Sequence, residues 1–469
     1  MYCLRRISLI AVGFTLFLLT GCAQSPTTNS NTAPASPSPS TVAQPTGTPC
    51  PPSPAPSPLT PITLSPCIPY EPTFGPTDFN SLPTAQNGFD VYSWRAFVAL
   101  NWPTDPAQMI GANGDNPTVW ESYIESYQVF RDDGSTPHWG PPQDVPAACQ
   151  NVGQSGSPMV VQMIQKVSND VRAFNAGGKQ VLDEAAEPFK TGPLIDPHGV
   201  YTRYAILLNQ DAFNYILKNN IYNKAGQTNF GAADFPAGDN GNPQAGVGAI
   251  VLKTAWRVLD PTAGDIPGRY HTTTAFVYTP ASNDPPVAAK CEVKTLGLVG
   301  FHIMHKTKHA PQWVWSTFEQ VDNLRVGPKA PAGLKPTYFN PDCAKCPVNK
   351  PPPKPWNPTV QAPPSQITRL IPIDQATEDL NKQWQSALSS VNPNSVWQFY
   401  ELISTQWPTN ASGSPTGDPA PQFLGNSTME TYLQGKVPNV SSSCIMCHNN
   451  ATTTTGKGGD FSYLLQRAK

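Results

Sequence analysis

Apolar and polar positions fall into recognisable periods only after about residue 74 of the chain, and Pro and Gly keep interrupting them. Across residues 90–100, Trp94, Phe97 and Val98 share one helical face and the run stops before Pro103, which predicts a helix. Trp120, Tyr123, Ile124 and Tyr127 recur at helical spacing within 119–130 and predict another. Strands are expected over 200–208, 249–259, 270–278, 293–304 and 396–403. Each is short, rich in β-branched or aromatic residues and bounded by turn residues. Asn209 reads as the N-cap of a helix running through Phe213, Ile216 and Leu217, and 374–388 as a further helix. No period of 20 to 50 residues repeats. Together these elements predict one large α+β domain over 73–469, or two interleaved ones. Its sheet is expected to be mainly antiparallel, with several helices and long Pro-rich loops.

The N-terminal region has a different character. Arg5 and Arg6 precede an apolar run from Ile7 to Leu19, and the segment closes on Leu19-Thr20-Gly21-Cys22. That layout is a secretory signal over 1–21, too short and wrongly flanked for a spanning helix. Its ending resembles the lipobox of bacterial lipoproteins, in which the cysteine is lipidated; the alternative is an ordinary signal peptide with Cys22 near the cut. Acyl chains on Cys22 would hold the protein at a membrane, since two or more chains exceed the marginal binding of one. Residues 23–72 contain 15 prolines and one charged residue, Glu71. So polar and Pro-rich a stretch cannot bury enough apolar surface to offset its ordering entropy. The expectation for 22–72 is therefore a disordered tether, reaching on the order of 150 Å when extended.

Charge narrows the function classes. Lys and Arg number 30 against 32 Asp and Glu, so no positive excess exists to neutralise a phosphate backbone and nucleic-acid binding is disfavoured. The 11 Trp, 15 Tyr and 19 Phe provide the large apolar faces that a core needs. No HExxH or Walker loop occurs, and Gly153-Gln154-Ser155-Gly156-Ser157 ends in Ser where a nucleophile elbow requires Gly. Hydrolase readings fall accordingly.

Cysteine usage points to a cofactor. Of ten cysteines, Cys3 belongs to the signal and Cys22 to the lipid site, and Cys444-Ile445-Met446-Cys447-His448 is the CxxCH pattern for covalent attachment of a c-type haem. In that chemistry the two thiols bond the haem vinyl groups and the histidine binds iron from one face. The bland alternative is a disulfide between Cys444 and Cys447 with His448 incidental. Six cysteines remain: Cys50, Cys67, Cys149, Cys291, Cys343 and Cys346. An even remainder in an exported chain fits up to three disulfides, with Cys50 and Cys67 favoured as one pair. Cys343-Ala-Lys-Cys346-Pro347 lacks a following histidine, so one haem is expected. Only 21 residues follow His448, too few to wrap a haem, and its pocket must come from upstream sequence.

The run Gly300-Phe301-His302-Ile303-Met304-His305-Lys306-Thr307, followed by Pro311 to Glu319 and Val321-Asp322-Asn323, resembles a segment of large bacterial "cytochrome c family" proteins. So does the pairing of Asn426-Ser427-Thr428-Met429-Glu430-Thr431-Tyr432 with a late CxxCH and a closing Asp-Phe-Ser. The resemblance spans scattered blocks from Phe89 to Lys469 and implies haem binding and electron transfer, without naming a substrate.

What sits opposite His448 decides the chemistry. His302, Met304, His305 and Met429 are the candidate sixth ligands. His302, His305 and His309 would share a face on a helix, as a separate metal site needs. The Gly and β-branched content instead predicts a strand to about Met304, placing His302 and Met304 on one face and His305 on the other. The leading expectation is a membrane-tethered mono-haem c-type cytochrome passing single electrons to a redox partner protein or small donor or acceptor. Alternatives are a haem enzyme with an open sixth position and a surface binding protein with structural haem. Localisation is expected in the cell envelope, lipid-anchored, with Ala23 after Cys22 favouring the outer membrane.

Overall fold

The computed structural model describes residues 62–73, 81–105, 107–111, 117–140, 191–279, 288–353, 363–434 and 442–469, with a few short pieces between them. The signal, Cys22, Cys50 and the first part of the tether lie outside the described residues. Residues 44–469 form one compact unit. Among the described residues no helix is long and apolar enough to cross a membrane.

The expected α+β domain is present, built on one nine-stranded sheet. Its strands are β1 (Ile124–Glu125), β2 (Gln162–Ile164), β3 (Arg203–Leu208), β4 (Ile250–Val258), β5 (Thr272–Thr279), β6 (Lys290–Thr307), β7 (Ala310–Gln320), β8 (Tyr400–Pro408) and β9 (Pro419–Ala420). They lie in the order β1-β3-β4-β6-β7-β8-β9, all antiparallel. The 18-residue β6 has β4 along one edge; along the other, β7 pairs its C-terminal half and β5 its N-terminal half, with β2 parallel to β5. One face of the sheet presents Leu252, Phe301, Ile303, Phe318 and Leu402, and two helices cover it: α1 (Leu82–Leu100) and α3 (Gln375–Val391). Phe97 of α1 stacks on Phe318 at 4.2 Å between centroids, and Trp94 stacks on Trp384 of α3 at 5.7 Å. Burying each such ring contributes about 1.5–3 kcal/mol.

The expected helix over 90–100 starts earlier, at Leu82, because Ser81 accepts a hydrogen bond from Thr84 N and Pro83 suits the first turn. Asn209 caps α2 (Gln210–Lys218), as the sequence predicts, and Asp374, expected as the first residue of a helix, is instead the N-cap of α3. Of the helix expected over 119–130 only one α-helical turn, Ser126–Val129, forms. Val119–Ser122 makes a single 3₁₀ turn closed by Thr118 and Glu121, and Ile124 and Glu125 then extend to pair with Leu208 and Leu207. Sheet pairing overrides the local period. The strand expected over 396–403 is displaced: Val396–Phe399 is a 3₁₀ turn and the strand begins at Tyr400. Sequence reasoning missed β7, whose residues are buried on both faces and show no alternation.

Residues 62–73, expected to belong to the tether, pack on the folded domain. Ile68, Tyr70 and Glu71 are buried, Ile62 and Leu64 pack on the main core, and Glu71 accepts hydrogen bonds from Asn240 N (3.1 Å) and pairs with His309 Nδ1 (2.5 Å). Residues 62–73 therefore belong to the fold, because their four apolar side chains find a groove that composition alone does not reveal.

Cys149 bonds Cys291 across 142 residues and Cys343 bonds Cys346 across three. Cys67 is also disulfide-bonded, to a cysteine outside the described residues. In a chain-entropy account the long loop stabilises by about 5 kcal/mol and the short one by about 2 kcal/mol. Denaturant midpoints should therefore fall much further for Cys149→Ser/Cys291→Ser than for Cys343→Ser/Cys346→Ser; equal losses would refute the loop-length account.

Candidate functional site

The second face of the sheet is polar in its middle. Register places Val251, Met304 and Trp315 in one row, Lys253, His302 and Thr317 in the next, and Ala255, Gly300 and Glu319 in a third. The Asn426–Tyr432 turn lies across these rows. Asn426 Nδ2 donates to Thr317 Oγ1 (2.9 Å), Ser427 N donates to Glu319 Oε1 (2.6 Å), and Tyr204 donates its hydroxyl hydrogen to the Thr428 carbonyl (2.8 Å). The turn approaches so closely that a Cβ at Gly300 would stand 2.2 Å from Thr428 Oγ1, which is why glycine occupies that strand position.

The CxxCH motif forms a short helix, α4 (Cys444–His448), on the same face. Ser443 caps it, and Gln406 of β8 anchors it by accepting from Ile445 N (2.8 Å) and from Ser443 Oγ (3.2 Å). Ile445 is fully buried with Met304, Trp315 and Leu465, whereas Cys444, Cys447 and His448 keep part of their surface open. Neither Cys444 nor Cys447 is in a disulfide. Burial, then the Glu430 carboxylate, pushes the Cys444 thiol well above its ordinary range; burial also raises Cys447.

His448 is oriented from three sides. Its ring packs on Trp315 (4.5 Å between centroids) and Tyr463 (5.1 Å), and Nδ1 lies 2.7 Å from the Phe461 carbonyl oxygen. A carbonyl only accepts, so Nδ1 carries the hydrogen and Nε2 presents a lone pair. Asp460 and Phe461 both take left-handed backbone angles, φ +50° and +62°. Such a conformation costs about 1–3 kcal/mol per residue and needs support from its surroundings. Lys306 of β6 supplies it, with Nζ 2.6 Å from Asp460 Oδ1, while Asp460 Oδ2 accepts from Phe235 N (2.8 Å). Burial draws His448 down to about 4, so the ring is neutral near pH 7.

His302 lies on the same face of the sheet, one row from Met304 and Trp315. Its Nε2 is enclosed, has no hydrogen-bond partner, and lies 3.5 Å from Glu430 Oε2, beyond good bonding geometry. Burial first, then the Lys253 charge, lowers His302 to about 3, and both Lys253 and His302 act electrostatically on His448. Glu430 acts electrostatically on Cys444, Cys447 and His448 as well, so these groups form one electrostatically coupled cluster on this face. Among the described residues no three His, Cys, Asp or Glu side chains converge as a bare metal ion requires. Two thiols on one helix followed by a neutral imidazole with a directed lone pair are the donor set that covalent attachment of a planar metal-bearing group would use.

The other candidate ligands separate. Met304 shares the apolar cluster of Ile445 and Trp315, while Met429 is fully buried among Tyr204, Val299 and Tyr338 in a different cluster. His305 is corrected outright. It lies on the opposite face, as alternation predicts, and both nitrogens are engaged, Nδ1 with Tyr92 and Nε2 with the Val247 carbonyl (2.6 Å). His309 sits in the β6–β7 turn against Glu71, so the three histidines form no common site. Sequence reasoning did not single out Gln406, Trp315 or Lys306 as supports. The closing Asp-Phe-Ser block was the only sign of the Phe461 carbonyl.

His305 also makes a clean pH probe. Burial lowers it to about 4, against about 6.5 unfolded, so between those values the unfolded chain binds the extra proton. Its effect is that stability falls as pH drops from about 6.5 toward 4. His302 and His448 act in the same direction. Asp90, raised by burial to about 6, and Glu401, raised to about 7, act in the opposite one. His305→Gln should therefore flatten the stability-versus-pH curve relative to wild type by up to about 1.4 kcal/mol per pH unit within that window. Parallel curves from chemical denaturation at pH 4.5 to 7 would show that His305 is not held neutral.

The chain matches no family model, no curated protein and no solved structure.

Proposed function

We propose that this chain is a mono-haem c-type cytochrome working in electron transfer at the cell envelope. One observation carries the reading: a CxxCH helix whose two cysteines are not bonded to each other and whose histidine is fixed, by its Nδ1 contact to Phe461 O, with Nε2 directed outward. Cys444 and Cys447 would hold the group by thioether bonds, His448 Nε2 would ligate its iron, and His302 is the candidate for a second ligand. Haem so bound supplies an iron that takes up and releases single electrons.

The chain's own contribution is orientation and exclusion of water. Lys306, Asp460 and Phe461 hold the imidazole tautomer, Gln406 and Ser443 hold the helix that presents both thiols, and Trp315 and Tyr463 wall the ring. The resemblance to large bacterial cytochrome c family proteins supports the same reading, and lipid on Cys22 would hold the domain at a membrane. Peptide mass spectrometry after expression with a cytochrome c maturation system tests the proposal. A haem adduct is expected on the peptide spanning 444–448; two alkylatable thiols and no adduct would refute it.

A further inference from the structure

The segment between β7 and α3 carries a second reactive group at its surface. Cys343 and Cys346 are bonded to each other across three residues. Both are half-exposed, and Asp342, Ala344, Lys345, Pro347 and Val348 around them are exposed. The Cys149–Cys291 bridge differs, because Cys149 is 1% exposed. Opening that bond would release a buried thiolate, which apolar surroundings disfavour and which makes a poor leaving group. Exchange also needs a thiolate to reach a sulfur, so access favours the Cys343–Cys346 bond a second time.

The fold does not depend on this bond. Its turn is closed by Cys343 N donating to the Asn340 carbonyl (3.2 Å), Asp342 N to Asn340 Oδ1 (3.0 Å) and Cys346 N to the Cys343 carbonyl (3.2 Å). Lys335 Nζ adds an ion pair with Asp342 Oδ2 (2.6 Å). Both flanks are anchored elsewhere. Tyr338 is fully buried and its N donates to the Asn323 carbonyl (2.7 Å). Asn349 donates through Nδ2 to Thr368 Oγ1 (3.0 Å), and its Oδ1 accepts from Thr368 N (3.0 Å). A ring closed over three residues also removes little freedom from the unfolded chain. Breaking the bond therefore leaves the segment in place.

We propose that Cys343–Cys346 is a thiol–disulfide exchange site, a two-electron acceptor for an exported protein dithiol. The group itself specifies the partner's chemistry, since thiolates are the nucleophiles that open disulfides. One partner thiolate attacks a sulfur of the bond, forming a mixed disulfide and releasing the other cysteine as a thiolate. The partner's second thiolate then attacks the partner sulfur of that mixed disulfide and releases the remaining cysteine. The chain gains two electrons and two protons, and the partner leaves as a disulfide. Five exposed residues beside the bond give a protein-borne thiolate room to approach. The proposal stands independently of haem attachment.

Differential labelling of the full mature chain tests it. Thiols free at the start are blocked with iodoacetamide, so the result is the same whether or not Cys444 and Cys447 carry haem. The chain then meets dithiothreitol or a reduced thioredoxin, and newly released thiols are labelled with N-ethylmaleimide and assigned by peptide mass spectrometry. Either reductant should label Cys343 and Cys346 at least about tenfold faster than Cys149 and Cys291. In this fast phase wild type should oxidise about one thioredoxin per chain, and a folded Cys343→Ser/Cys346→Ser chain none. The thermal midpoint of the chain so reduced should fall by no more than about 6 °C. Labelling no faster than at Cys149 and Cys291, unfolding once the pair is reduced, or opening by dithiothreitol but not by thioredoxin would each overturn the proposal.

Discussion

Cys447→Ala, expressed with a cytochrome c maturation system, is expected to lose most covalent haem on a stained denaturing gel, and Cys444→Ala/Cys447→Ala to lose all of it. The two thiols are the only covalent anchors the site offers, one turn apart on a helix that Gln406 and Ser443 hold against β8. The loss should not come from unfolding. Ile445, not the cysteines, fills the core beneath the helix, fully buried beside Met304, Trp315 and Leu465. Cys444 and Cys447 lie half-open above it, so replacing them leaves the packing and the Phe461 contact to His448 in place. Circular dichroism should superpose on wild type. A stained band of full strength in the double variant would mean that haem, if present, is held elsewhere, and the assignment of the motif would fail.

His302→Ala is expected to turn a carbon-monoxide-resistant ferrous protein into one that binds the gas rapidly at neutral pH. His302 is neutral near pH 7, its Nε2 makes no hydrogen bond, and it acts electrostatically on His448. A strong-field ligand from that position would block small molecules, and its removal would leave a vacancy. Met304 and Met429 are committed to separate apolar clusters, and His305 faces the other way. His305→Gln should leave the visible spectrum unchanged. If wild type already binds carbon monoxide as fast as His302→Ala, the sixth position is open and the haem-enzyme reading replaces the electron carrier.

Both predictions rest on residues that differ in how visible they were in the chain. CxxCH is a contiguous pattern, so Cys444, Cys447 and His448 were legible from spacing alone. The strand reading of 293–304 already separated His302 from His305, because alternation is a local property of extended backbone. The helix cap at Asn209 was legible for the same reason: a cap satisfies groups within three residues of itself. Where the chain borrowed its hydrogen bonds from far away, local reasoning failed. Ile124 and Glu125 follow β3 rather than their helical period, and β7 shows no alternation because both of its faces are buried.

By itself the sequence determined the motif, the α+β class, the Pro-rich character of the N-terminal region and the faces on which His302 and His305 lie. Tertiary structure decided the rest. It set which carbonyl orients His448, 13 residues away through a strained Asp460-Phe461 pair held by Lys306, 154 residues from Asp460. It set that residues 62–73 join the core and that Cys149 reaches Cys291. Short-range order follows from dihedral and capping preferences written into neighbouring residues. Orientation of a ligand, burial of a charge and pairing of distant cysteines depend instead on which surfaces the packed sheet brings together.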